Sequence, residues 1–172
     1  MKRGQLWAGI LSPPIALGGI GVAIMINRPW WKLTDNAISD LGKVGLPYSW
    51  VMNVPLFISA ILAIYYAAGL FGEVKNTVFR LGIALFIVGL FLLMGIAIFP
   101  EGTKPHYHVS WGFFLAGSIG YLTAGAGLWL KACGSSEPSR FCYSPPRFSS
   151  RDGRLIPSAE LPSPSSLESL PW

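Results

Sequence analysis

The chain has 172 residues, 52% hydrophobic and 12% charged, with 13 Lys and Arg against 8 Asp and Glu and a net charge of +5. Such a surplus of bases points to nucleic acid when it gathers into a basic stripe with interleaved aromatics on a soluble face. Here the bases are scattered and all lie outside four long apolar stretches, which excludes a nucleic-acid partner and leaves a membrane bundle with lipids around it.

The first stretch, Leu6–Ile26, contains no Asp, Glu, Lys or Arg. Roughly 20 apolar residues at about 1.5 Å rise cross a hydrocarbon core about 30 Å thick, so the stretch predicts a transmembrane helix. Lys2 and Arg3 precede it as in a signal peptide, yet the run is long and no small-x-small cleavage site follows, so the helix is expected to be retained. Pro13-Pro14 removes two backbone donors, which predicts a bend near Ser12–Leu17 packed against protein.

The loop from Asn27 to Tyr48 is too long for a simple turn. Asp35 or Asn36 can cap a short helix that Gly42 closes in the left-handed conformation. Leu33, Ala37, Ile38 and Leu41 share one helical face, so an amphipathic helix at the membrane surface is expected, flanked by Trp30, Trp31, Tyr48 and Trp50 as belt aromatics.

Val51–Phe71 is the second charge-free stretch, with Ser59, Ala63 and Ala67 at four-residue spacing. Gly72–Thr77 then reads as a polar hairpin with no task beyond connection. Leu81–Phe99 is the third stretch. The following loop, Pro100–His108, holds two prolines and a glycine, which exclude a regular helix.

Val109–Leu130 is the fourth stretch. Its Gly112, Ala116, Gly120 and Ala124 stand at strict four-residue spacing, a nearly bare helix face. Close backbone approach at such faces holds helices together in lipid, so this face is expected to be a seam of the bundle, with a homo-oligomeric helix–helix contact as the alternative.

The chain thus reads as all-α. A polytopic transmembrane helical bundle of four spans (about 6–26, 51–71, 81–99 and 109–130) makes up residues 1–131. A Ser/Pro-rich tail over 132–172 follows, with eleven Ser and seven Pro; it is expected to be disordered because it cannot bury enough apolar surface to offset ordering entropy. Cys133 and Cys142 fall in that tail, at a spacing that fits neither a redox pair nor a zinc knuckle.

Nine of the 13 bases lie with the two termini and the second loop, and four with the first and third loops. Both termini are therefore expected in the cytoplasm of a multi-pass cell-membrane protein. An even number of crossings then places Asp35, Asn36, Ser39, Asp40, Glu101, His106 and His108 on one outward face.

Asn36-Ala37-Ile38-Ser39-Asp40-Leu41-Gly42 after the first span, with Phe99-Pro100-Glu101 and a histidine opening the fourth, has a family likeness. It resembles archaeal and bacterial multi-span membrane proteins known as domain of unknown function 998, over about residues 6–130. His108, directly ahead of Val109-Ser110-Trp111, matches the family histidine better than His106. The resemblance implies an all-helical bundle, usually of about six spans, and no established activity, so it carries over no catalytic residue. The tail stands where the last two helices are usual. Its Ser, Pro and Arg excess matches either an out-of-frame reading downstream of Lys131 or a genuine cytoplasmic tail.

Two functions follow as expectations. In the first, Asn36, Ser39, Asp40, Glu101 and His108 form a structural polar cap from loops 27–50 and 100–108, with no metal or cofactor, and the protein is structural or interacts with lipids or a partner. In the alternative, Asp40, Glu101, His106 and His108 hold a divalent metal for a membrane enzyme acting on a lipid head group.

Overall fold

The computed structural model describes residues 1–134, 147–148 and 155–156. Four helices are long and apolar enough to cross a membrane: α1 (Arg3–Asn27), α2 (Trp50–Glu73), α3 (Thr77–Ile98) and α4 (His106–Gly134). The protein is an all-helical membrane protein, with a short 3-10 helix, Ile38–Gly42, in its first connection. The chain divides into two units, Met1–Lys131 and Ala132–Trp172. In the second, β1 (Arg147–Phe148) pairs antiparallel with β2 (Leu155–Ile156). The expectations of a disordered or out-of-frame tail otherwise fall on residues outside those described.

Antiparallel α1 and α2 fit together through small residues and one polar contact. Each of two buried serines, Ser12 and Ser59, gives its hydroxyl to the other's backbone carbonyl, at 3.0 and 2.9 Å, with their hydroxyl oxygens 3.0 Å apart. No water reaches this depth of a bilayer, so a hydroxyl there needs a protein partner. α1 continues as one helix through Pro13 and Pro14, and this serine pair sits directly before them. Farther along, Gly19 makes room for Pro55: a side-chain carbon on Gly19 would stand 2.5 Å from the proline ring.

α3 and α4 form a second antiparallel pair built on bare backbone. A side-chain carbon at Gly82 would strike the Ala124 backbone, and one at Gly120 the Phe86 backbone. Gly112 meets Leu92 in the same seam. The spaced small residues of α4 therefore approach α3 of the same chain, where van der Waals contact between backbones substitutes for a hydrophobic drive that lipid does not provide. Asn76 closes the far end of this pair: its side-chain oxygen accepts from the Phe79 N–H at 2.9 Å, capping α3, and its amide donates to the Gly127 carbonyl at 3.2 Å. The second loop thus does more than connect.

The buried apolar residues form two clusters. Ala67, Phe79, Ile83, Leu90 and Ala124 hold the middle and one end. Ala23, Trp31, Leu41 and Met52 hold the other end, beneath the first loop. Large exposed side chains such as Trp7, Leu17, Met25, Leu122 and Trp129 make an outer surface suited to lipid tails.

Three local expectations change. The amphipathic surface helix shrinks to five 3-10 residues, and of its expected apolar face only Leu41 is buried, at 0% exposure, whereas Leu33 is 72% exposed. The cause is local: Asn36 and Asp40 each bond backbone N–H groups nearby, at Lys32 and Ala37, and so favour turns over a continuous α-helix. The left-handed glycine is Gly45 (φ 83°), not Gly42. Trp31 belongs to the core rather than the belt; it is buried and donates its indole N–H to the Ala37 carbonyl at 3.0 Å.

Candidate functional site

The first and third loops touch through the backbone. The Val44 N–H donates to the Glu101 carbonyl at 2.9 Å. Gly102 beside it has φ 95°, a conformation open to glycine and strained for other residues. Its Cα lies over Lys43 and Val44: a side-chain carbon there would sit 3.8 Å from Val44 Cβ.

Under this contact the first loop is pinned from below. Leu41 and Trp31 plug the end of the α1–α2 pair. Asn53, a polar residue in the first turns of α2, donates to the Gly42 carbonyl at 3.0 Å, and its side chain fills the space where a side chain on Gly42 would go. Asp40 accepts from the Ala37 N–H at 2.9 Å, and Asn36 from the Lys32 N–H at 3.0 Å. Both are therefore bound within their own loop. Ser39 is half-buried, and its hydroxyl has no hydrogen-bond partner among the described residues.

His106 is the centre of the third loop. The ring is buried, and its Nδ1 lies 2.8 Å from the Phe99 carbonyl. A carbonyl only accepts, so Nδ1 carries a hydrogen. Nε2 stands 2.8 Å from the Glu101 carboxylate and 3.2 Å from the Ser110 hydroxyl. The Glu101 carboxylate and the Ser110 hydroxyl thus both face the Nε2 side of the ring.

His108 does not join them. It is exposed and contacts the ring of Tyr107 edge-on, with centroids 5.7 Å apart. The reason is secondary structure. α4 begins at His106, with the Pro105 carbonyl accepting from the Val109 N–H at 3.1 Å, so residues 106–108 are helical rather than extended. Residues two apart on a helix point about 200° apart, so one ring turns inward and the other outward. Of the expected metal set Asp40, Glu101, His106 and His108, the side chains of Glu101 and His106 meet. Among the described residues no three His, Cys, Asp or Glu side chains converge. Glu101 and Ser110 both face the same ring nitrogen, so the group is not a hydrolytic relay with carboxylate and hydroxyl on opposite nitrogens.

The His106 group forms one wall of a cleft of about 870 Å³ between the two helix pairs. Ile20, Met52, Leu56, Leu93, Ile96 and Phe113 line its depth. Ser39, Glu101, Thr103, Lys104, His106 and Ser110 line its loop end. A concave, mostly apolar site with a few polar groups at one end suits an amphiphile, and the volume lies within the roughly 300–1,000 Å³ usual for ligand sites. The sequence marks this arrangement only in part: His106 and Ser110 lie one helical turn apart, a spacing that carries meaning only where the helix starts at the residue after Pro105.

No curated protein and no solved structure matches the chain. A family model for proteins of unknown function, DUF998, matches residues 10–136, well over half of the chain. The match takes in all of the first three connections, including the Asn36–Gly42 and Phe99–Glu101 segments. On that match the chain belongs to the DUF998 family of proteins of unknown function.

Proposed function

We propose that this protein is a lipid-interacting protein of the cell membrane, with both termini cytoplasmic and its first and third loops joined as a polar cap on the outward side. The observation that carries the reading is the cleft under the cap, apolar between the helices and polar at the loops. That gradient copies the gradient of a bilayer leaflet, so a lipid can enter sideways with its head group at the loops and its chain among the helices. The orientation rests on the excess of Lys and Arg beside the termini and second loop.

The test uses the full chain expressed in cells, with Cys133 and Cys142 replaced by Ser. Single cysteines at Ile38 and Thr103 are exposed to a membrane-impermeant thiol reagent in intact cells. Labelling of both from outside supports the orientation; labelling of either from the inside alone overturns it. Lipid extracted with the purified protein supports the lipid reading, and its loss on Ile96→Trp, which fills the cleft, ties it to this site. Stoichiometric zinc that disappears on His106→Ala would instead favour the metal-dependent enzyme.

A further inference from the structure

We infer that the cleft selects an anionic glycerophospholipid, with the lipid phosphate seated at Lys104. This rests on the lipid reading above and adds the head-group class. At the loop end of the cleft, one charged group is left unpaired. The charged groups there are Glu101, His106 and Lys104. The Glu101 carboxylate is turned to the His106 ring, 2.8 Å from Nε2. Lys104, by contrast, is exposed and has no ion-pair partner among the described residues, which leaves its ammonium available at the mouth.

The surroundings reinforce that sign. Lys43 lies against the same turn, its Cγ 3.9 Å from where a side chain on Gly102 would begin. The remaining acids of the cap are turned elsewhere: Asp40 bonds the Ala37 N–H, and Asp35 accepts from the Thr34 hydroxyl at 2.8 Å. Arg28 and Lys32 have no acidic partner among the described residues either. An unpaired cation at the mouth favours a phosphodiester with a net negative charge over a zwitterion, whose own ammonium it repels. The free Ser39 hydroxyl at the same end supplies a hydrogen bond to a phosphate oxygen. The acyl chain then continues past Ile96 and Phe113 toward the middle of the bundle.

The experiment is native mass spectrometry of the full chain in detergent, titrated with dioleoyl phosphatidylglycerol or with dioleoyl phosphatidylcholine. The wild type is expected to retain the anionic lipid at least about fivefold better, the effect of one well-placed cation near anionic lipid. Lys104→Ala should reduce that preference to near unity, while Lys75→Ala, in the second loop, should leave it intact. Equal retention of the two lipids by the wild type, or an undiminished preference in Lys104→Ala, overturns the head-group inference. Ile96→Trp and Ile20→Trp should each abolish retention of both lipids while keeping the helical circular dichroism of the wild type. Unchanged retention in both of these variants removes the cleft as the lipid site, and the lipid reading falls with it.

Discussion

Glu101 and His106 meet across Pro105, with a carboxylate oxygen 2.8 Å from Nε2, while the same ring is tied through Nδ1 to the carbonyl of Phe99. One buried imidazole thus closes the turn between α3 and α4 and carries the wall of the cleft. His106→Ala leaves the Phe99 carbonyl and Glu101 without this partner, and the expected loss is about 1–3 kcal/mol. His108→Ala removes an exposed ring and should change stability by less than about 0.5 kcal/mol. Melting in detergent of the two variants checks the contrast, and equal shifts would contradict the role given to His106.

The serine pair between α1 and α2 predicts coupling. Ser12 and Ser59 exchange hydrogen bonds at both hydroxyls, so their effects should not add. A double-mutant cycle on Ser12→Ala and Ser59→Ala should give a coupling of about 0.6 kcal/mol, the average for such pairs in membranes, and no more than about 1.7 kcal/mol. Strict additivity in reversible unfolding would mean that the two hydroxyls act separately.

The bare seam of α3 and α4 predicts which glycines tolerate a methyl group. Gly82→Ala and Gly120→Ala must push backbones apart, and each should destabilise by about 1–3 kcal/mol. Nothing stands within 4 Å of a side-chain carbon at Gly21 in α1, so Gly21→Ala should be neutral or stabilising. Thermal unfolding of the three variants decides the matter; a harmful Gly21→Ala beside a harmless Gly120→Ala would reverse the assignment of the seam.

Within the cap, Asp40 and Asn36 each satisfy a backbone N–H of the first loop. Asp40→Ala and Asn36→Ala should each cost about 0.5–2 kcal/mol, as removal of a cap does. Lys75→Ala, which is exposed in the second loop, should cost less than about 0.5 kcal/mol. The readout is the melting temperature, and equal shifts for the three would show that the loop bonds add no stability.

How much of this was legible beforehand differs from residue to residue. The four spans follow from charge exclusion and length, a constraint the bilayer makes so strong that no tertiary contact can override it. That Glu101 and the Asn36–Gly42 segment lie at the same end of the bundle follows from alternation of the spans alone. The choice between His106 and His108 did not follow, because it turns on whether the last helix begins before or after His106, and Pro105 permits either. Trp31 illustrates a second limit: a tryptophan beside a helix end suits the interface and the core equally, and only the position of Leu41 and Met52 decides. The meeting of Ser12 with Ser59 depends on the vertical register of two helices, which small residues allow but do not specify.

The most direct measurement is a disulfide between the two loops. Val44→Cys with Gly102→Cys, in a chain with Cys133 and Cys142 replaced by Ser, places the two Cβ atoms 3.8 Å apart, within the roughly 3.5–4.5 Å that a disulfide spans. Mild oxidation in native membranes should link them within one chain, seen as a faster band on non-reducing gels that dithiothreitol reverses, while the pair Lys75→Cys with Gly102→Cys stays unlinked. If positions 44 and 102 remain free thiols while Gly102→Cys alone keeps the wild-type melting temperature, so that the strain of a side chain at that positive φ has not opened the turn, the loops do not meet, and there is no cap over the cleft.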